Sequence, residues 1–311
     1  MTVDEQFIRR GGNCVNTASA LFALGIEAKI IVTTDVYGKS LLEALAPSGL
    51  DLSHIHTGGQ LSSTVSIETE SEGRKVNIMV SDSCSASDFK FSDLNSTDIQ
   101  LIENSGLVAL VNLNHNRNGA DLASNLFKKV KESTRAITFM DIGDPSNNSA
   151  LVEPLLKKAI SSGNLDILGL NENEVGWLSW ALTGQEHWLN IVDTPDDWLR
   201  GAKLISRETG VRVILHTPHF AASVVGDAVV SVPAFQVETK IACGSGDAFN
   251  GGLIYGLLLD LEYVEQLILA NAVAALYISS HDSSHPNREA VVRFLRSNPA
   301  VSSNSKKLLM E

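Results

Sequence analysis

The chain has 311 residues, of which 44% are hydrophobic, so it can bury a large core. Its net charge is -12, and without a lysine- or arginine-rich run it lacks the positive surface of a nucleic-acid-binding protein. No apolar run approaches the roughly 18 residues of a membrane span, and three widely separated cysteines favour a reducing compartment over a disulfide scaffold. We therefore expect a cytoplasmic globular protein with no nucleic-acid or membrane partner.

The first predicted elements are a helix, a strand and a hairpin. Small and apolar residues recur at helical spacing over 14–24, and the apolar stretch 28–34 predicts a buried strand. Over 61–80, apolar and polar residues alternate on either side of the polar stretch 70–75. This alternation predicts a β-hairpin with one face that is solvated or covered by a partner.

The remainder of the chain predicts an α/β sheet. From 107 to 217, short apolar strands alternate with amphipathic helices, which is typical of a parallel sheet covered on both faces. A second hairpin over 221–233 precedes two helices near 247–260 and 262–280. Because no linker or repeat divides the core, we expect residues 1–311 to form a single α/β domain with a mainly parallel central sheet sandwiched by helices.

The stretch IACGSGDAFNGG places glycines and a carboxylate at the start of an apolar helix. Successive N–H groups at Gly244, Ser245 and Gly246 can converge on an anion, because glycine permits the required backbone angles and the helix dipole adds positive charge. Asp247 in the first turn could then act as a base for an attacking hydroxyl. The alternative is that Asp247 only satisfies the helix N-terminus. The spacing fits neither the dinucleotide-binding fingerprint nor a P-loop.

Four segments, in order, resemble the ribokinase-like, or PfkB, family of carbohydrate and nucleoside kinases. GGNCVNTASALFALG resembles the first family signature, and TTDVYGKSLLEAL resembles the stretch after the second strand. NENE resembles the N-x-x-E motif, and GSGDAFNGG resembles the second signature, usually G-A-G-D. The resemblance covers about the whole chain, except that the strand which usually precedes the Gly-Gly pair is missing from the first ten residues.

The resemblance implies roles at the acceptor and phosphate sites. Asp247 would be the catalytic base, and the peptide N–H groups of the preceding three residues would form an anion hole for phosphate. The substrate site would be lined by Gly11, Gly12, Asn13 and Asn16.

The resemblance also implies a metal site and a nucleotide site. Asn171 and Glu174 would help to organise Mg²⁺ and phosphate, often through water, although the pair taken alone is more typical of a helix N-cap with its capping box. After the strand near 211–215 the family has a glycine-rich turn near the nucleotide. This chain has His216 and Thr217 there, so we expect these two residues beside the nucleotide.

The implied activity is ATP-dependent transfer of the γ-phosphoryl group to a hydroxyl of a sugar, with Mg²⁺ as cofactor. A small β lid, with residues 58–82 as part of it, would exclude water from the reaction. Its unpaired edge favours a homodimer formed through the lid. Two alternatives remain open: a nucleoside kinase of the same family, and a catalytically weak kinase homologue that only binds a ligand.

Overall fold

The computed structural model describes residues 8–71, 74–192 and 194–298. Its helices are α1 (Asn13–Ala23), α2 (Val36–Leu45), α3 (Ser96–Glu103), α4 (Gly119–Ser133), α5 (Val152–Lys158), α6 (Glu172–Thr183), α7 (Pro195–Thr209), α8 (Ser245–Leu258), α9 (Tyr263–Ile278) and α10 (Arg288–Ser297). Its strands are β1 (Val32–Thr33), β2 (Ile55–His56), β3 (Ser63–Ser71), β4 (Arg74–Asp82), β5 (Leu107–Val111), β6 (Ile137–Asp141), β7 (Ile167–Leu170), β8 (Arg212–His216), β9 (Phe220–Val225) and β10 (Ala228–Pro233). No helix in these ranges is long and apolar enough to cross a membrane.

The main sheet has the strand order β10-β9-β8-β7-β6-β5. Strands β5 to β8 are parallel, and β9 and β10 run antiparallel to their neighbours. Parallel neighbours require crossover connections, which helices α4 to α7 supply between β5 and β8. The predicted mainly parallel sheet is confirmed, and the β9-β10 hairpin confirms the hairpin predicted at 221–233.

Helices cover both faces of this sheet. Successive strand residues point to opposite faces, so neighbouring residues of one strand pack in different cores. Met140 of β6 and Leu168 of β7 pack in one core with helices α4 to α7. Their neighbours Phe139 and Ile167 pack in a second core with α1, α8, α9 and α10. All four side chains are buried. The near-continuous apolar character of these strands therefore has the predicted cause, which is burial on both sides.

The strand predicted at 28–34 is shorter in the structure. Only Val32 and Thr33 form β1, which pairs in parallel with β2, and Lys29 makes an isolated bridge to Asp51. Within the described ranges, neither strand joins the main sheet. A strand extends only as far as its backbone groups find partners, and β2 offers two residues.

Strands β3 and β4 form an antiparallel hairpin, which confirms the one predicted at 61–80. On the opposite face to its aliphatic residues, the Oγ1 atom of Thr64 and the Oγ atom of Ser81 hydrogen-bond at 2.9 Å. Residues 72–73, at the centre of the predicted turn, lie outside the described residues. Among the side chains that the structure describes, one face of the hairpin carries four aliphatic ones, each at least half exposed: Val65, Ile67, Ile78 and Val80.

Helix α8 passes very close to α1 and α9, because glycines face both neighbours. A Cβ atom on Gly251 would lie 2.5 Å from the Cβ atom of Ala20 in α1. A Cβ atom on Gly252 would lie 2.8 Å from the Cα atom of Ala270 in α9. These close approaches pack α8 directly against both α1 and α9.

We predict that Gly252→Ala lowers the free energy of unfolding, because an added methyl overpacks the α8-α9 contact at a cost of about 2–3 kcal/mol. This loss exceeds the gain of roughly 1 kcal/mol that alanine brings over glycine in a helix. Urea denaturation measures the difference. Gly106→Ala is the control, since a Cβ atom there meets nothing within 4 Å. Equal stability of the two variants would contradict the proposed close packing.

Candidate active site

The loop before α8 leaves backbone N–H groups free at the helix N-terminus. Gly244 has φ +89°, in the region that glycine adopts without strain, and α8 begins at Ser245. The N–H groups of Gly244 and Gly246 find no acceptor in the described part of the chain, whereas the Ser245 N–H reaches the Ala242 carbonyl at a long 3.4 Å. Two of the three predicted amides are therefore free, at a position where a helix dipole favours an anion.

Asp247 lies where the first turns of α1 and α8 meet. Its side chain is 5% exposed, and its Oδ2 atom accepts a hydrogen bond of 2.9 Å from the Nδ2 atom of Asn16. The side chain of Asn13 also lowers the pKa of this carboxyl group. The Oδ1 atom is buried and has no partner among the described residues. One carboxylate oxygen is thus fixed by α1, and the other is left for a ligand.

The environment of Asp247 favours its protonated form. Burial raises the pKa of Asp247 to about 8, the hydrogen bond from Asn16 lowers it, and the negative charge of Asp141 raises it further. A base is most effective when its pKa lies near the working pH. The buried site therefore turns an ordinary carboxylate into a group that can take a proton near neutrality.

A second polar contact joins α8 to the carboxyl ends of the central strands. Asn250, one turn after Asp247, donates from Nδ2 to the Oδ2 atom of Asp141 at 2.6 Å. The Nε2 atom of His216 lies 4.0 Å from that same oxygen, and its ring is 5.0 Å from the ring of Phe249. The ends of β6 and β8 and the first two turns of α8 therefore meet at one edge, where open parallel sheets usually bind ligands.

The two residues expected beside the nucleotide differ in their surroundings. Thr217 uses its Oγ1 atom within its own turn, where it donates to the Phe220 carbonyl at 2.9 Å. His216 lies next to Gly246, and its Nε2 atom is buried without a partner among the described residues. Burial lowers the pKa of His216. A nucleotide-binding role for either residue stays a prediction.

Asn171 and Glu174 form the helix N-cap that the sequence also allowed. The Oδ1 atom of Asn171 accepts from the N–H of Glu174 at 3.0 Å, and the Oε2 atom of Glu174 accepts from the N–H of Asn171 at 2.9 Å. Burial raises the pKa of Glu174 well above its usual value, and the charges of Asp141 and Asp144 add to this effect. This excess of negative charge suits a divalent cation, but a metal role for the pair stays a prediction.

Gly11 and Gly12 of the first family-like segment and Asp35 of the second have different surroundings. Gly12 is the N-cap of α1, with φ 86°, and a Cβ atom on Gly11 or Gly12 would meet nothing within 4 Å. Asp35 caps α2 through the Gly38 N–H at 2.7 Å and also accepts from the Leu61 N–H at 3.2 Å. Gly11 and Gly12 therefore lie beside open space, whereas Asp35 fastens the base of the β3-β4 hairpin to α2.

Sequence reasoning missed two residues of this region. Asn250 lies three positions after Asp247, so the helical repeat places both on one face of α8; that spacing could have revealed it. Tyr277 donates from its hydroxyl to the Cys243 carbonyl at 3.1 Å. No local pattern connects these two residues, which are 34 positions apart.

Comparison with known proteins places this geometry in a family. The model of the pfkB family carbohydrate kinases matches residues 2–290. Haemophilus influenzae ribokinase is 24% identical over 296 residues, covering 93% of this chain and 88% of the relative. Clostridium tetani 5-dehydro-2-deoxygluconokinase is 22% identical over 298 residues, covering 92% and 84%.

Solved structures share the same fold. Arabidopsis thaliana ribokinase, in complex with ribose and ATP, superposes with a TM-score of 0.73 at 19% identity, over 95% of this chain and 90% of that chain. The predicted ribokinase-like α/β fold is thereby confirmed. Because the family match spans nearly the whole sequence, this chain belongs to the pfkB family of carbohydrate kinases, phosphotransferases with an alcohol group as acceptor.

Proposed function

We propose that this protein is an ATP-dependent sugar kinase in which Asp247 is the general base. The observation that carries the proposal is the free Oδ1 atom of Asp247, buried at the start of α8 beside the unpaired N–H groups of Gly244 and Gly246. A base and an anion site must be adjacent for phosphoryl transfer to a hydroxyl, because the acceptor loses a proton as the phosphoryl group arrives.

In the proposed reaction, the acceptor hydroxyl donates a hydrogen bond to Oδ1 of Asp247. The hydroxyl oxygen attacks the γ-phosphorus of ATP, its proton passes to Asp247, and the bond between the γ-phosphorus and the β,γ-bridging oxygen breaks to release ADP. The free amides of the α8 N-terminus stabilise negative charge on the transferring group. Asn13 and Asn16 orient the Asp247 carboxylate, and Gly11 and Gly12 leave space for the acceptor.

Mg²⁺ would be held through water by Glu174 and Asn171, with Asp144 nearby. Among the described residues, no three or more His, Cys, Asp or Glu side chains converge on one metal position. Mg²⁺ in kinase sites usually keeps several waters and binds one or two carboxylates together with substrate phosphates. When bound, the ion supplies positive charge that neutralises the phosphates of ATP.

The site is compatible with more than one class of acceptor. The two curated relatives are named for different acceptors, and a nucleoside kinase would place a ribose hydroxyl against Asp247 in the same way.

A binding-only homologue is disfavoured by Asp247 itself. A buried carboxyl group with a raised pKa destabilises the folded state as the pH rises through that pKa, and a protein without a base gains nothing from it.

We expect Asp247→Asn to abolish acceptor-dependent ADP release, with kcat at least ~1,000-fold lower, because asparagine cannot accept the proton. The assay uses Mg-ATP with a panel of pentoses, hexoses, sugar acids and nucleosides, so that it also identifies the acceptor. Asp227→Asn, at an exposed turn, is the control. Full activity of Asp247→Asn would refute the assignment of the base.

The pH profile should follow the pKa of Asp247. Only the deprotonated carboxylate can accept the proton, so kcat/KM should rise with pH and level off above about 8. Asp141→Asn removes a charge that raises this pKa, and the midpoint should move to lower pH. Asn16→Ala removes a hydrogen bond that lowers the pKa, and the midpoint should move to higher pH. Midpoints that move in the same direction in both variants would contradict this account.

We also propose that residues 58–82 are part of a lid within a single functional domain, 1–311, and that two copies of the chain pair through it. An isolated two-stranded hairpin is marginally stable in water, and the β3-β4 hairpin exposes four aliphatic side chains on one face. A second copy would bury this face. None of the three cysteines, all of which lie in the described ranges, forms a disulfide, which supports the proposed cytoplasmic location.

We expect the double variant Ile67→Lys with Ile78→Lys to be monomeric, because two charges would have to be buried in the dimer contact. Sedimentation velocity measures the change from a dimeric wild type. Thr64→Lys places a charge on the opposite face and should leave the dimer intact. A monomeric wild type would remove the basis of the lid-mediated dimer without affecting the kinase proposal.

A further inference from the structure

Tyr277, one residue before the end of α9, reaches the loop that begins α8. Its hydroxyl donates to the carbonyl oxygen of Cys243 at 3.1 Å. A Cβ atom on Gly244 would lie only 2.6 Å from this hydroxyl oxygen. The phenol therefore occupies the space that a side chain at position 244 would need, in direct contact with the peptide that joins Cys243 to Gly244.

This contact controls where the Gly244 N–H points. In a planar trans peptide the C=O and N–H bonds are antiparallel, so a hydrogen bond to the Cys243 carbonyl also sets the direction of the Gly244 N–H. That N–H is directed away from Tyr277 and has no acceptor in the described ranges. A glycine at φ +89° has no side chain to restrict its rotation, so the orientation depends on such an outside contact.

We propose that Tyr277 is a positioning residue for the anion hole, and that its hydroxyl holds the Gly244 N–H in the orientation that meets the transferring phosphoryl group. The inference rests on the proposed kinase function. It adds a residue that touches neither ATP nor the acceptor and acts through the peptide it holds. An anion hole stabilises a transition state only if its donors are already aligned when charge develops.

The surroundings keep Tyr277 in its donor form and its ring in place. Burial raises the pKa of Tyr277, so the phenol retains its proton near neutral pH. The ring of His285 stacks on it, with centroids 4.7 Å apart and planes 19° from parallel. Burial lowers the pKa of His285 to about 3, so this imidazole is neutral. Arg10 lies near His285, and its Nε atom donates a hydrogen bond of 3.1 Å to the Ser19 hydroxyl.

A simpler role for Tyr277 is packing alone, and the two roles differ in what the hydroxyl does. Tyr277→Phe keeps the ring and its stacking on His285 and removes only the oxygen that binds Cys243. If the residue only packs, this variant loses some stability and keeps its kcat. If Tyr277 positions the anion hole, kcat falls while the KM values for ATP and for the acceptor stay unchanged, because the misaligned N–H matters most in the transition state.

The experiment measures kcat and both KM values for wild type, Tyr277→Phe and Tyr255→Phe. Removing a donor of an anion hole outright costs about 100- to 1,000-fold in kcat. Misalignment of one donor should cost about 10-fold, with KM for ATP and acceptor within about twofold. Tyr255→Phe removes a phenol oxygen towards the far end of α8 and should leave kcat unchanged.

A third variant carries 4-aminophenylalanine at position 277, which restores an N–H donor at the same place and should return kcat to within about threefold of wild type. If thermal unfolding shows that Tyr277→Phe does not fold, the kcat of this variant is compared with that of wild type alone, and a folded variant with a much lower kcat would contradict the inference. Wild-type kcat in Tyr277→Phe, or a 4-aminophenylalanine variant that folds but is as slow as Tyr277→Phe, would overturn this inference alone. Absence of turnover in wild type with every acceptor would overturn the proposed function and this inference together.

Discussion

The burial of one carboxylate at the meeting of two helix N-termini is the constraint on which the rest of the site depends. Asp247 has lost nearly all contact with water, and the amide of Asn16 compensates only one of its oxygens. Burying such a group is unfavourable unless it is paired or protonated. The raised pKa and the free oxygen are two consequences of this same burial, and both suit the proposed role of a general base for a hydroxyl.

Holding that carboxylate in place requires that α1 and α8 approach more closely than ordinary side chains allow. Gly251 permits this approach, at a cost in helix propensity that the packing of the second core offsets. The central sheet also anchors α8, because Asn250 donates a hydrogen bond to Asp141 at the end of β6. The fold and the site therefore share their stabilising contacts, and a change in the helix packing would displace Asp247.

Electrostatics divide the site into two parts. The start of α8 offers backbone N–H groups and the positive end of a helix dipole, whereas the ends of β6, β7 and α6 carry Asp141, Asp144 and Glu174. Burial of Glu174, together with the charges of Asp141 and Asp144, keeps the pKa of Glu174 high. A nucleotide phosphate alone would suit the first part and be repelled by the second. A phosphate that brings a divalent cation suits both, and this is the form in which kinases use ATP.

The sequence by itself determined the layered α/β architecture and the glycine-rich, acidic start of α8. Apolar strands between amphipathic helices can be buried in few ways, and glycines before an acidic first turn are a local pattern. It did not determine the length of β1, because a strand ends where its partner's backbone groups end. It also could not show that Asp247 is buried with one oxygen free, or that Tyr277 contacts the Cys243 carbonyl. Only the tertiary structure decided these points, since desolvation, the free Oδ1 atom and the contact with the Cys243 carbonyl come from residues far apart in the chain that packing brings together.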